Sequence, residues 1–278
     1  MIRFNQRTQL LFLIIFAALF LGFKRAPSDS SQTITDELIS KLALKNELKA
    51  TPSNIETQFK QNFLQLSSQK NKLMLKSFRK AYDTNQLLND FRASLRKKMN
   101  SQYRSKIEAW LQKSSTQAVN NARREYYTLQ GKRKRVVAMY KMEKHPPAAE
   151  RMHLFAEMRD TTAANQSSIE SSVTILRYVI RAYGNLNEKH NFSRKRVNAI
   201  VNSFRSEMLS RQNQQQSNFQ GNRQLAVMYH NVKTKNLKDY LKFFETDAGQ
   251  WLTRAINKSM NEAYKTGGKR FLQIIGSS

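Results

Sequence analysis

The sequence contains no cysteine, only four prolines and eight glycines, and 20 acidic residues against 48 basic ones. Without cysteine there is no disulfide, no thiolate metal site and no thiol nucleophile, and an oxidising compartment holds nothing to protect. Scarce proline and glycine remove the residues that interrupt helices, while side chains that lose little freedom in a helix are plentiful. No stretch alternates polar and apolar residues for long enough to argue a strand. The expected class is all-α, a bundle of amphipathic helices. At 278 residues and 40% hydrophobic content the chain can bury a core, in one large domain or two small ones.

Long hydrophobic runs are also scarce. The notable one is LLFLIIFAALFLGF, residues 10–23, preceded by Arg3 and Arg7 and followed by Lys24 and Arg25. Its 14 residues fall short of the ~20 that a spanning helix needs, and a basic lead before a short apolar core fits a secretory signal peptide. No A-x-A cleavage site follows, so an uncleaved amino-terminal anchor fits as well. Either way the chain is expected to be exported, periplasmic or anchored to the inner membrane through residues 10–23.

The shortage of acid leaves a net charge of +28, and +24 without Arg3, Arg7, Lys24 and Arg25. Such a surface attracts polyanions through a long-range, salt-sensitive field. Eighteen basic residues against four acids occupy 70–135, and eighteen against six occupy 171–278, while 136–170 is near neutral. The densest runs, Lys132, Arg133, Lys134 and Arg135, then Arg194, Lys195 and Arg196, are the candidate anion-binding residues; a solvated helix face is the simpler explanation of them.

Apolar residues recur at steps of three and four in Leu87, Leu88, Phe91, Leu95 and Met99, in Leu176, Val179, Ile180 and Tyr183, and in Val197, Ile200, Val201, Phe204 and Met208. Each set predicts a buried helical stripe. Asp83 with Gln86, and Ser193, predict helix starts. Thr51-Pro52-Ser53, His145-Pro146-Pro147 and Gly184-Asn185 predict helix ends. The polar stretch 211–222 reads as a loop or a frayed end. This punctuation suggests residues 1–26 as signal peptide or anchor, 27–68 as a helical lead-in, 69–145 as a first helical unit, 146–170 as a connecting helix and 171–278 as a second unit.

Catalytic chemistry finds little support. The acids are scattered singly among Lys and Arg, and G-x-S-x-G, Walker A, G-x-G-x-x-G and H-E-x-x-H are all missing. Of His145, His153, His190 and His230, only His153 has a helical carboxylate neighbour, Glu157, and two ligands do not make a metal site. No enzyme, metal or cofactor is expected. Tyr126 and Tyr127 before the first basic run could stack bases, which keeps a nucleic-acid-binding reading open.

Near the carboxy terminus, NLKDYLKFFETDAGQWL (residues 236–252) carries the stripe Leu237, Tyr240, Leu241 and Phe244 and opens a second one that runs on through Trp251, Leu252, Ala255, Ile256 and Ala263. Two helices are expected to meet here in a packing joint of Phe243, Phe244, Asp247, Gly249 and Trp251, with Asp247 capping the second helix. The stretch resembles a bacterial envelope helical family, domain of unknown function 2059, in its leucine-rich helix, aromatic pair and S/T-x-x-G-Q/R-x-L pattern. That resemblance spans residues 173–266 and implies an exported, envelope-facing helical protein with no assigned reaction.

A fainter echo, KIEAWLQKSSTQAV (residues 106–119), aligns at an offset of 134 with Trp110 opposite Phe244 and Ser115 opposite Gly249, suggesting two similar units in tandem. The functional expectation is a noncatalytic exported helical protein. Its basic surface would bind an anionic envelope component (phospholipid, lipopolysaccharide or wall polymer) or a protein partner. The alternative is a periplasmic carrier holding a small apolar ligand between helices, lined by Trp110, Phe243, Phe244 and Trp251.

Overall fold

The computed structural model describes residues 30–62, 66–187, 192–215 and 219–277. Among them the chain forms thirteen α-helices and no strand: α1 Ser30–Lys41, α2 Leu44–Asn62, α3 Ser68–Ala81, α4 Thr84–Lys98, α5 Ser101–Gln112, α6 Ser114–Tyr126, α7 Leu129–Lys144, α8 Ala149–Thr161, α9 Ala164–Leu186, α10 Arg194–Gln215, α11 Phe219–Met228, α12 Thr234–Phe244 and α13 Asp247–Gly276. The all-α expectation holds. Residues 10–23 and His190 lie outside the described part, and no described helix is long and apolar enough to cross a membrane.

Helix α13, 30 residues long, is the hub. It packs against α9 on one side and α3 and α4 on another, with α5 and α12 near its start. Two glycines let it serve both sides. A Cβ on Gly267 would come within 2.9 Å of the Tyr82 ring, and one on Gly268 within 2.1 Å of the Tyr178 ring, so both aromatics lie against bare backbone. Polar ties fix the register: Arg270 donates to the Ala81 carbonyl at the end of α3 and to Asp90 of α4, at 2.6 Å for the latter, and Lys98 meets Glu262 at 2.6 Å.

One apolar core runs from Ile34 to Ile275, so the packing does not divide at residues 145 or 170. A small satellite of Ile169, Val173, Ile180, Val197 and Val201 joins α9 to α10. Leu87, Phe91 and Leu95 are fully buried, as their spacing predicts, but Ile200 points outward. The reason is that α10 packs only along α9 and α11 and buries a narrow stripe.

Helix ends follow local chemistry. Asp83 accepts from the backbone N–H groups of Asn85 and Gln86, Ser193 accepts from Arg196, and His145 closes α7. Two expected ends are displaced. Gly184-Asn185 lies inside α9, which continues to Leu186. Pro52 likewise sits within α2 instead of ending it. Proline offers no N–H to the carbonyl four residues back. Here that carbonyl, of Leu48, accepts from the Tyr264 hydroxyl of α13 at 3.2 Å, so a tertiary bond replaces the missing helical one. Tyr264→Phe should therefore strand a buried acceptor and lower stability by about 1–3 kcal/mol in a denaturant melt; an unchanged midpoint would show that the helix tolerates Pro52 unaided.

Candidate functional site

The α12–α13 joint is built as a tight turn. Glu245 ends α12, and Thr246, not Asp247, caps α13: its hydroxyl accepts from Gly249 N–H at 3.2 Å and donates to the Phe243 carbonyl at 2.6 Å. Asp247 is the first helical residue, where a carboxylate complements the positive end of the helix dipole. The cap thus lies one residue earlier than expected, because the Thr246 hydroxyl already takes the Gly249 amide. Gly249 has no room for a side chain, since its Cβ would lie 2.0 Å from the Phe243 carbonyl oxygen.

The same device recurs at α6–α7. Thr128 donates to the Glu125 carbonyl and accepts from Gly131 N–H, and a Cβ on Gly131 would lie 1.9 Å from that carbonyl oxygen. T-x-x-G is thus the repeated signal, at Thr128 and Thr246. At Ser115, opposite Gly249 in the echo, the turn into α6 has no side-chain cap.

Around the first joint, Trp110 stacks on Phe243 with ring centres 4.3 Å apart and meets Tyr240 and Phe244 at 5.4 Å. Trp251 sits at the edge of this group, 5.6 Å from Tyr103. Trp110, Phe243, Phe244 and Trp251, the expected carrier lining, thus pack against one another or against Tyr240 and Tyr103. A polar network lies nearby: Arg123 approaches Glu47 at 3.6 Å and donates to the Tyr229 hydroxyl at 3.1 Å. Desolvation pushes the Glu47 carboxyl above its ordinary value while Arg123 pulls it back. The network ties α2 and α6 to Tyr229, just after α11.

The surface feature that stands out is α7. Among the described residues seven large apolar side chains are exposed, and five lie on this helix: Leu129, Val136, Val137, Met139 and Tyr140. Their concentration marks an unpartnered face rather than scattered surface residues. Steps of four, three and four put Leu129, Arg133, Val136 and Tyr140 on one outward stripe, opposite the buried Gly131, Ala138 and Met142. Leu129, Val136 and Tyr140 are 71, 69 and 59% exposed. The helix rests on α6 and α11 alone among the closer contacts.

The same helix carries the first candidate cationic run. Lys134 pairs with Glu125, and Arg135 lies 4.4 Å over the Tyr126 ring, covering a face that base stacking would need. Among the described residues Lys132, Arg133 and Lys141 have no ion pair, and the helix's one acid, Glu143, is engaged by Arg223. Arg194, Lys195 and Arg196 stand exposed in the first turn of α10; Arg196 lies 5.0 Å over Phe192. Helix α11 touches both α7 and α10. Sequence reasoning found the cations of α7 but not its apolar stripe, because 129–142 also holds a buried stripe and the two cancel in any amphipathic pattern.

His153 and Glu157 lie on the exposed side of α8. Among the described residues no group of three or more His, Asp or Glu converges. Compared with protein-family models, curated proteins and solved structures, the chain matches none. The functional reading rests on its own residues.

Proposed function

We propose that this is an exported, noncatalytic helical protein that docks on an anionic envelope component, the phosphate-bearing surface of a lipid bilayer, through α7. One observation carries the reading: an outward stripe of Leu129, Val136 and Tyr140 on a helix whose Lys132, Arg133 and Lys141 form no ion pair among the described residues. A helix of this composition lies in the interface plane, its apolar side chains among the acyl boundary and its cations among headgroups. Each Lys or Arg near an anionic surface contributes about 1 kcal/mol, weakened by salt. Aliphatic side chains ringed by Lys and Arg fit lipid better than an acidic protein surface, which would leave the apolar stripe uncovered.

The test is sedimentation of the full chain with neutral vesicles and with vesicles containing phosphatidylglycerol, at low and high salt. Both lipids accept the apolar run 10–23 alike, so their difference reports electrostatic attraction. The anionic vesicles should retain more protein at low salt, and Val136→Glu with Tyr140→Glu should abolish that excess without moving the thermal midpoint, because both side chains are solvated. Equal partition to both lipids, or an excess that survives the double substitution, contradicts the proposal.

A further inference from the structure

Between α9 and the start of α10 lies a cleft of about 500 Å³, lined by Arg177, Arg181, Arg194, Asn198, Phe192 and Val197 together with Gly184 and Asn185. Three arginines line it and the described lining contains no carboxylate. Arg177 and Arg181 stand one turn apart on α9, and Arg194 is the first residue of α10. Arg177 donates through Nη1 to Asn198 Oδ1, which holds its planar fork in place while other N–H groups stay available. Arg181 and Arg194 are exposed and form no ion pair among the described residues.

Elsewhere this chain often matches its arginines with acids: Arg205 with Glu170 on the same two helices, Arg79 with Glu56, Arg92 with Asp36 and Arg270 with Asp90. Like charges gathered around a concave space repel one another, and an anion entering that space removes the repulsion. The 22-residue α10 adds the positive end of its dipole at the same place. Guanidinium forks match the oxygens of a phosphate, and three of them exceed what one carboxylate can use. Phe192 and Val197 supply an apolar wall, and the volume is that of a small-molecule pocket, larger than phosphate alone requires.

We propose that this cleft binds the phosphate group of an organic phosphomonoester, with Arg177, Arg181 and Arg194 as its ligands and Phe192 against the organic part. The site is separate from α7, and its test does not depend on the lipid-docking reading. Two sources share this chemistry, a free phosphorylated small molecule and the headgroup of a phosphomonoester lipid.

Titration of the full chain with phenyl phosphate, inorganic phosphate and acetate, followed by calorimetry, addresses the free source. Vesicles carrying phosphatidic acid, compared with the same vesicles carrying phosphatidylglycerol, address the lipid source. Saturable binding is expected in at least one arm, at least ten-fold weaker in Arg181→Gln and in Arg194→Gln, and unchanged in the charge-matched control Lys72→Gln with Lys76→Gln, two exposed lysines of α3. Binding to phenyl phosphate alone assigns the free source, and a preference for phosphatidic acid alone assigns the headgroup. The inference fails if acetate binds as tightly as phosphate, if the α3 substitutions weaken binding equally, or if neither arm saturates. Arg181 and Arg194 are solvated, so an unchanged melting curve in both variants separates lost binding from lost fold.

Discussion

Gly249→Ala is expected to lower the thermal midpoint, although alanine is the better helix former. In a solvated helix the exchange favours folding by about 1 kcal/mol. Here the new Cβ would sit 2.0 Å from the Phe243 carbonyl oxygen and 2.5 Å from Phe244 Cα, both backbone atoms that cannot rotate away. The turn must open, pulling Thr246 from its cap and Phe243 from Trp110. Overpacking of this kind costs roughly 1–3 kcal/mol beyond the propensity gain. At roughly 2–4 °C per kcal/mol for chains of 150–250 residues, the shift is readily measured by calorimetry. Gly276→Ala is the matched control: nothing lies within 4 Å of its Cβ, so its midpoint should hold or rise slightly. Equal behaviour of the two variants would show that the joint is slack.

Trp110→Ala should have a still larger effect. Trp110 is 1% exposed and touches Phe243, Phe244 and Tyr240, so truncation removes the largest side chain at the meeting of α5 with α12. Losses of about 3–5 kcal/mol follow when such a ring leaves a cavity that its neighbours cannot fill. Trp110→Phe should cost much less, because it keeps a ring for Phe243 to stack on and removes an indole N–H that has no acceptor. Denaturant melts of both variants check the order; a Phe variant as damaged as the Ala variant would mean that the indole N–H, and not the packing, matters most.

Much of the fold was legible because it depends on near neighbours in sequence. Leu87, Phe91 and Leu95 announce a buried helix face, and Asp83 and Ser193 announce its starts. What the sequence obscured depends on partners far along the chain. Pro52 reads as a stop until Tyr264, over two hundred residues away, is seen to bond Leu48. The hub role of α13 rests on Gly267 and Gly268, whose value lies in the Tyr82 and Tyr178 rings laid against them. Spacing alone could not tell that Ile200 faces water, since that depends on which helices reach α10.

The candidate surface was half legible for a similar reason. Charge is local, so Lys132, Arg133, Lys134 and Arg135 stood out as a run. The apolar stripe beside them is defined only by what fails to cover it. Arg177 and Arg181 are separated by one helical turn within an otherwise apolar pattern, and only the cleft that they line together with Arg194 of α10 makes them a group. An i, i+4 arginine pair on the polar side of a buried stripe was the signal available beforehand.

Because the chain has no cysteine, one introduced thiol reports from one place. The most direct measurement is a polarity-sensitive fluorophore on Val136→Cys, with Glu157→Cys on the exposed side of α8 as reference. Docking through α7 predicts that vesicles containing phosphatidylglycerol shift the emission at 136 to the blue, that salt reverses the shift, and that neutral vesicles and the label at 157 give none. An unshifted label at 136 on vesicles that nevertheless carry the protein down would contradict it.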